Sequence, residues 1–226
     1  MKNKGRRDFL KGAALSIAGL TTTSAKALYQ AREPIQRPGS PEAALKLLVE
    51  GNQRFVAQKL VSFQEDLDIL KAHSEEHQEP FAAVLSCADS RVPVELLFDQ
   101  SIGHVFVVRV AGNVATPDTI ASLEYGAAVL GVKAILVLGH MNCGAISASI
   151  HAKEVPGQIS VLYQHLIPGI AGANGDVSLA AKMNAAYQAK LLAESSTVIA
   201  KAIKTDGVKV VSGTYDFATG KVTLGV

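Results

Sequence analysis

The chain has 226 residues, 48% of them hydrophobic and 19% charged, and only two cysteines. That length supports one domain with a sizeable core and excludes a small, cysteine-dense, disulfide-stapled scaffold. The formal charge is +2, but six basic residues and one acidic residue lie before Leu28; without that segment the charge is −3, which excludes a nucleic-acid binder built on a basic surface.

Met1 to Ala27 has the three parts of an export signal. Lys2, Lys4, Arg6, Arg7 and Lys11 form the basic region, Gly12 to Leu20 is short and apolar, and Ala25-Lys26-Ala27 is an A-x-A cleavage site. The apolar run is too short, and too rich in Gly, Ser and Thr, to span a bilayer. Arg6-Arg7-Asp8-Phe9-Leu10-Lys11 resembles the twin-arginine signal, whose pathway exports proteins already folded with their cofactor; Gly5 stands where Ser or Thr is usual. The resemblance implies a twin-arginine translocase as transient partner and a periplasmic destination, or a thylakoid lumen in a cyanobacterial host. No later run reaches membrane-spanning length, so residues 28–226 are expected to form a soluble mature protein without a membrane span.

Leu28 to Gly39, with Pro34 and Pro38, reads as an extended arm. Ser40 then caps a helix with Pro41 at its first position, and Ala44, Leu47, Leu48 and Gly51 follow at helical spacing. Strands are expected over Phe81–Ser86, Val105–Val110, Ala134–Leu138 and Val208–Ser212. Between the second and third, Thr116-Pro117-Asp118 starts a helix through Leu130, which Gly131 closes. This alternation implies right-handed parallel crossovers. Ser178 to Lys204 is a long alanine-rich helical stretch with a break near Ser195-Ser196. Gly213-Thr214-Tyr215-Asp216 and Thr219-Gly220-Lys221-Val222 form a hairpin that ends the sheet. The fold expected is a single α/β domain with a mostly parallel central sheet flanked by helices.

Both cysteines stand just past expected strands. Cys87 opens Cys87-Ala88-Asp89-Ser90-Arg91, and Cys143 ends His140-Met141-Asn142-Cys143. In an open parallel sheet, residues past the carboxyl ends of strands line the ligand crevice. Two thiolates and an imidazole meeting there make the Cys2His set that catalytic zinc uses when it keeps one position open. A Cys87–Cys143 disulfide is the alternative in an oxidising compartment; zinc loaded before export would protect both thiolates. Asp89 is close enough in sequence to reach the metal or its water, and Arg91 can hold it as a bidentate pair.

At these residues the chain resembles the β-class carbonic anhydrases, zinc enzymes that interconvert carbon dioxide and bicarbonate. The resemblance runs from Gly51-Asn52-Gln53-Arg54-Phe55 through the Cys87 motif, Val107–Asn113, Ser122–Gly126 and the His140 motif to Gly213-Thr214-Tyr215-Asp216. It implies one Zn2+ per subunit on Cys87, His140 and Cys143. Zinc lowers the pKa of a bound water toward about 7, and the hydroxide attacks CO2. Asp89, paired with Arg91, is implied to orient that water, and when the pair breaks Asp89 takes the fourth zinc position and shuts the site. Gln78, nine residues before Cys87, is implied to donate to a bicarbonate oxygen. Phe106 and Tyr125 would line the apolar mouth of the pocket from a neighbouring subunit, which makes a homodimer the smallest working unit and allows larger assemblies. The Gly144 amide, at a helix start, is a second donor for the anion. Family members with a second bicarbonate pocket carry a tryptophan three residues before the first zinc cysteine. Here that position is Val84 and the chain has no tryptophan, so an open site is expected at moderate pH. Two other functions remain open: hydrolysis of carbonyl sulfide or carbon disulfide on the same ligands, and zinc binding without catalysis. His73, His77, His104, His151 and His165 read as surface or structural, one of them a candidate proton shuttle.

Overall fold

The computed structural model describes residues 37–62 and 78–225, which belong to one folding unit, Gln36–Val226. The export signal, most of the extended arm, His73 and His77 lie outside the described residues.

Local chemistry sets the first helix. In α1 (Pro41–Val56) the Ser40 hydroxyl accepts from the Ala43 N–H at 3.2 Å, and Pro41 occupies a first-turn position that lacks an intrahelical partner anyway. One face of α1 buries Ala44, Leu48, Gly51 and Asn52. A Cβ on Gly51 would strike the Phe98 carbonyl, so the helix backbone and the Phe98 loop touch directly.

The sheet follows as β1 (Ala82–Ser86), β2 (Val105–Arg109), β3 (Ala134–His140), β4 (Lys209–Tyr215) and β5 (Val222–Leu224), in the order β2-β1-β3-β4-β5. The first four strands are parallel; β5 returns antiparallel to β4. Every residue of β1 and β3 is buried, which is why both read as continuous apolar runs rather than alternating ones. Alternate residues supply two cores. Ala83, Leu85, Ile135 and Val137 face Leu123 of α3 (Pro117–Ala128), Leu192 of α6 (Val177–Ser195) and Ile199 of α7 (Thr197–Asp206). Ala82, Val84, Leu136 and Leu138 face Leu48 of α1, Phe98 and the short helix α2 (Val94–Leu97). A third cluster closes the carboxyl ends of the strands. Cys87 and Cys143 lie there with Ile146 of α4 (Gly144–Ile150), Leu166 of α5 (Val161–Ile170) and Ala181 of α6.

The sequence expectations differ from this in their boundaries. β3 runs on to include His140, and β4 runs on to Tyr215, taking in residues expected in the hairpin. α3 stops at Ala128, two residues before Leu130, and Gly131 takes φ +66 just beyond. The break at Ser196 is a helix cap: its hydroxyl accepts from the Ile199 N–H at 3.0 Å and bonds Glu124 Oε1 at 2.6 Å. α6 starts one residue early because Asp176 accepts from the Ser178 and Leu179 amides. Helix α5 has no counterpart in the sequence reading. Pro168 and Gly169 look like a stop, yet the helix carries both to Ile170, packed against α6. Among the described residues, no helix is long and apolar enough to cross a membrane.

β1 has β2 on one side and β3 on the other, so the chain leaves β1 in one direction and returns on the opposite side. A crevice at the carboxyl ends of β1 and β3 is the consequence.

Candidate metal centre

That crevice holds the two motifs. Cys87 follows the last residue of β1, His140 is the last residue of β3, and Cys143 caps α4. Asn142 takes φ +52 in the turn between His140 and Cys143, a conformation that Asn tolerates better than most residues. One ligand atom from each of Cys87, His140 and Cys143 lies within 4.8 Å of the others. All three are buried, at 3%, 0% and 1% exposure. Neither cysteine is in a disulfide in this structure, which leaves both sulfurs available as ligands.

The donor set fits a metal. His140 Nδ1 lies 2.9 Å from the Met141 carbonyl oxygen. A carbonyl only accepts, so Nδ1 carries the proton and Nε2 is the bare nitrogen. Nε2 is buried and has no hydrogen-bond partner. An unpaired buried acceptor is costly, and a cation shared with two sulfurs removes that cost. Cys87 Sγ accepts from the Gly112 N–H at 3.3 Å and the Asp89 N–H at 3.4 Å. The neighbouring Cys143 thiol, with these amides, outweighs burial and holds the Cys87 thiol down to about 4, while Cys143 is pushed up by the same contact. A cation binds the thiolate form, and these contacts favour that form at Cys87.

Asp89 and Arg91 are joined as expected. Arg91 Nε donates to Asp89 Oδ1 at 2.9 Å, a terminal Arg91 nitrogen donates to Oδ2 at 2.8 Å, and the Arg91 amide adds a bond to Oδ1 at 2.9 Å. Arg91 holds the Asp89 carboxyl well below the usual carboxylate range, against a smaller opposing effect of burial. The carboxylate looks onto the cluster, with Oδ2 3.8 Å from His140 Nε2.

Three further contacts escaped the sequence reading. Arg109, paired with Ser86 across β1 and β2, donates to the Cys87 carbonyl at 3.0 Å and to the Asp89 carbonyl at 2.6 Å. Its place at the end of β2, beside the end of β1, was the available signal. Phe217 lies with its ring centroid 4.1 Å from Arg91 Cζ and 5.2 Å from the His140 ring. Nothing in the sequence marks that residue. Finally, Asn184 and Gln188, one turn apart on α6 and fully buried, tie down the turn after β2. Asn184 Nδ2 donates to the Gly112 carbonyl at 2.9 Å, and Gln188 Oε1 accepts from the Ala115 N–H at 2.9 Å. The Gly112 amide that reaches Cys87 is thus set by a buried carboxamide pair. Their i, i+4 spacing inside an apolar helix was legible, but not their target.

Gln78, Phe106 and Tyr125 do not join this cluster within the chain. Gln78 is exposed and precedes β1, at the opposite end of the strand from Cys87. Phe106 pairs with Ala83, three residues or about 10 Å short of Ser86 along the strand. Its ring meets Tyr125 at 6.2 Å, and Tyr125 is 46% exposed. Gly144 is exposed at the start of α4, and a Cβ there would meet nothing within 4 Å. Val84, at the position discussed for tryptophan, is fully buried in β1.

A family model described as carbonic anhydrase matches residues 82–222. A carbonic anhydrase of Mycolicibacterium smegmatis is 37% identical over 193 residues, 82% of this chain and 93% of that protein. Carbonic anhydrase 2 of Mycobacterium tuberculosis is 34% identical over the same shares of the two chains. Among solved structures, one of two tetrameric β-carbonic anhydrases from Sordaria macrospora superposes with a TM-score of 0.61 at 25% identity, covering 72% of this chain and 93% of that one.

Proposed function

Because the chain belongs to the β-class carbonic anhydrase family, we propose that the Cys87–His140–Cys143 centre holds one zinc ion per subunit and that Asp89 and Arg91 act on the reacting oxygen beside it. The reaction is the reversible hydration of carbon dioxide to bicarbonate and a proton. What carries the metal assignment is the bare, buried Nε2 of His140 beside two buried sulfurs. Two thiolates and one neutral imidazole suit zinc and leave room for a fourth, exchangeable ligand. Bound there, zinc would supply hydroxide near neutral pH by lowering the pKa of water toward about 7.

The residues of the chain do the rest. Asp89, ionised by Arg91, only accepts hydrogen bonds. It would therefore accept a hydrogen bond from the attacking hydroxyl, which keeps its hydrogen and turns a lone pair toward the carbon of CO2. Both oxygens of the carboxylate are already engaged by Arg91, which favours the open arrangement over one with Asp89 on the metal. After attack, bicarbonate leaves and a proton passes separately to solvent. Gly144, exposed at the start of α4, would offer its N–H to the departing anion.

The proposal extends to assembly and address. Gln78, Phe106 and Tyr125 stand at the far end of the strands from their own cysteines, which supports their service to a neighbouring subunit's site and hence a homodimer or larger oligomer. The Arg6-Arg7 leader supports export to a periplasm through the twin-arginine translocase, with zinc already bound. An Arg6→Lys/Arg7→Lys variant is expected to stay in the cytoplasm, read by fractionation.

Stopped-flow CO2 hydration on the zinc-loaded protein, followed with a pH indicator, tests the reaction. Fast turnover that falls about a hundredfold in Asp89→Ala supports the roles given above. No turnover across about pH 7 to 9 with zinc bound would shift the assignment to a sulfur-containing analogue of CO2 or to zinc binding without catalysis.

A further inference from the structure

Arg91 presents a difficulty that its salt bridge does not solve. Its side chain is 54% exposed, so even a bidentate pair with Asp89 is open to solvent and screened by salt. A catalytic acceptor needs its partner fixed to a fraction of an ångström. A second contact on the guanidinium would supply that fixity.

Phe217 is placed to do so. It lies in the turn between β4 and β5, half-buried, with its ring under the Arg91 guanidinium at 4.1 Å. The opposite contacts fix the ring. Tyr215 packs against it edge-on at 5.1 Å and 82°, and the His140 ring lies at 5.2 Å. The turn that carries Phe217 is itself tied down. Asp216 Oδ1 accepts from the Ala218 N–H at 2.8 Å, and the Met141 N–H donates to the Tyr215 carbonyl at 2.9 Å. Asn52 of α1 donates to the Gly220 carbonyl and accepts from the Val222 N–H.

We propose that Phe217 is a positioning residue for the reaction: its ring braces the Arg91 guanidinium by a cation–π contact, so that Asp89 stays bidentate and correctly aimed at the metal centre. An aliphatic residue of similar size could fill the volume but offers no negative ring face. The same ring touches His140, so one side chain keeps a metal ligand and the orienting pair in a common frame. The inference rests on the functional reading above, but its first readout does not depend on turnover.

The test compares Phe217→Leu and Phe217→Tyr with the parent in the zinc-loaded full chain. Stacking on an aromatic face shifts the Arg91 Nε–H NMR signal upfield and slows its exchange with water. Phe217→Leu is expected to remove that shift and the protection, lower kcat about fivefold and leave KM and zinc content unchanged; Phe217→Tyr is expected to restore the signal and the rate. An Arg91 signal unmoved in Phe217→Leu overturns the brace. A moved signal with unchanged kcat, or Phe217→Leu and Phe217→Tyr equally slow, overturns the positioning role. A parent that binds zinc and shows the shifted Arg91 signal, yet does not hydrate CO2, overturns the functional reading and leaves the brace standing.

Discussion

Among the described residues two arginine–aspartate pairs stand out, one between near neighbours and one between residues 45 apart, and they differ in what surrounds them. Arg54 meets Asp99 at 2.5 Å between α1 and the loop after α2, and the Asp99 side chain is completely buried. The Val61 and Ser62 amides, each at 2.9 Å, complete its acceptor set. Asp89, by contrast, is 18% exposed, and its partner more than half exposed, beside a cluster built for a cation. The buried pair is saturated with donors from its own fold and has no capacity left over. The other keeps an accessible carboxylate edge, held from behind by Arg91. A charged pair becomes chemical machinery when its last acceptor site is left for something that arrives.

Mutations can break this contrast. Removing a ligand is the most severe: His140→Ala is expected to lose bound zinc and at least about a thousandfold in kcat/KM, checked by metal analysis and stopped-flow hydration. Asp89→Ala should cost about a hundredfold in kcat while shifting Tm by less than about 3 °C. Asp99→Ala should do the reverse. It strands Arg54 and two amides, and is expected to destabilise the fold by about 3–5 kcal/mol in urea unfolding, with the active fraction of folded enzyme unchanged.

Acid sharpens the comparison further. Burial would raise the Asp99 carboxyl, but Arg54 and the Ser62 and Val61 amides outweigh it and hold it below the ordinary value. A carboxyl depressed in the folded state stabilises above its unfolded pKa of about 3.9, and that contribution fades as pH falls below it toward the folded value. Stability should therefore decline as pH falls below about 4, and Asp99→Asn should flatten that decline, read from urea midpoints at each pH.

The parts of this molecule that local chemistry governs were legible in the sequence. β1 and β3 announced themselves as apolar runs, Ser40-Pro41 as a cap, and Cys87, His140 and Cys143 as residues at strand ends. The Asp89–Arg91 pair is a contact between near neighbours and was equally visible. What stayed hidden is long-range. Arg109 grips the Cys87 loop across two strands, Asn184 and Gln188 reach down from α6, and Phe217 arrives from the last hairpin. Each carries an ordinary residue type whose target only the tertiary fold supplies. Helix α5 was missed for the opposite reason: a local stop signal at Pro168 was overridden by packing.

Parallel pairing of β1 with β3 also bears on how the molecule matures. No turn or hairpin joins these strands; the chain must first travel out through β2 and α3 before β3 can return beside β1. Non-local pairings of this kind are the slow contacts of folding, since chain closure is unfavourable before they form. Cys87 and His140 come together only when that pairing is complete. Metal capture would thus report that β1 and β3 have paired, and a chain that holds its ion has already closed that non-local step.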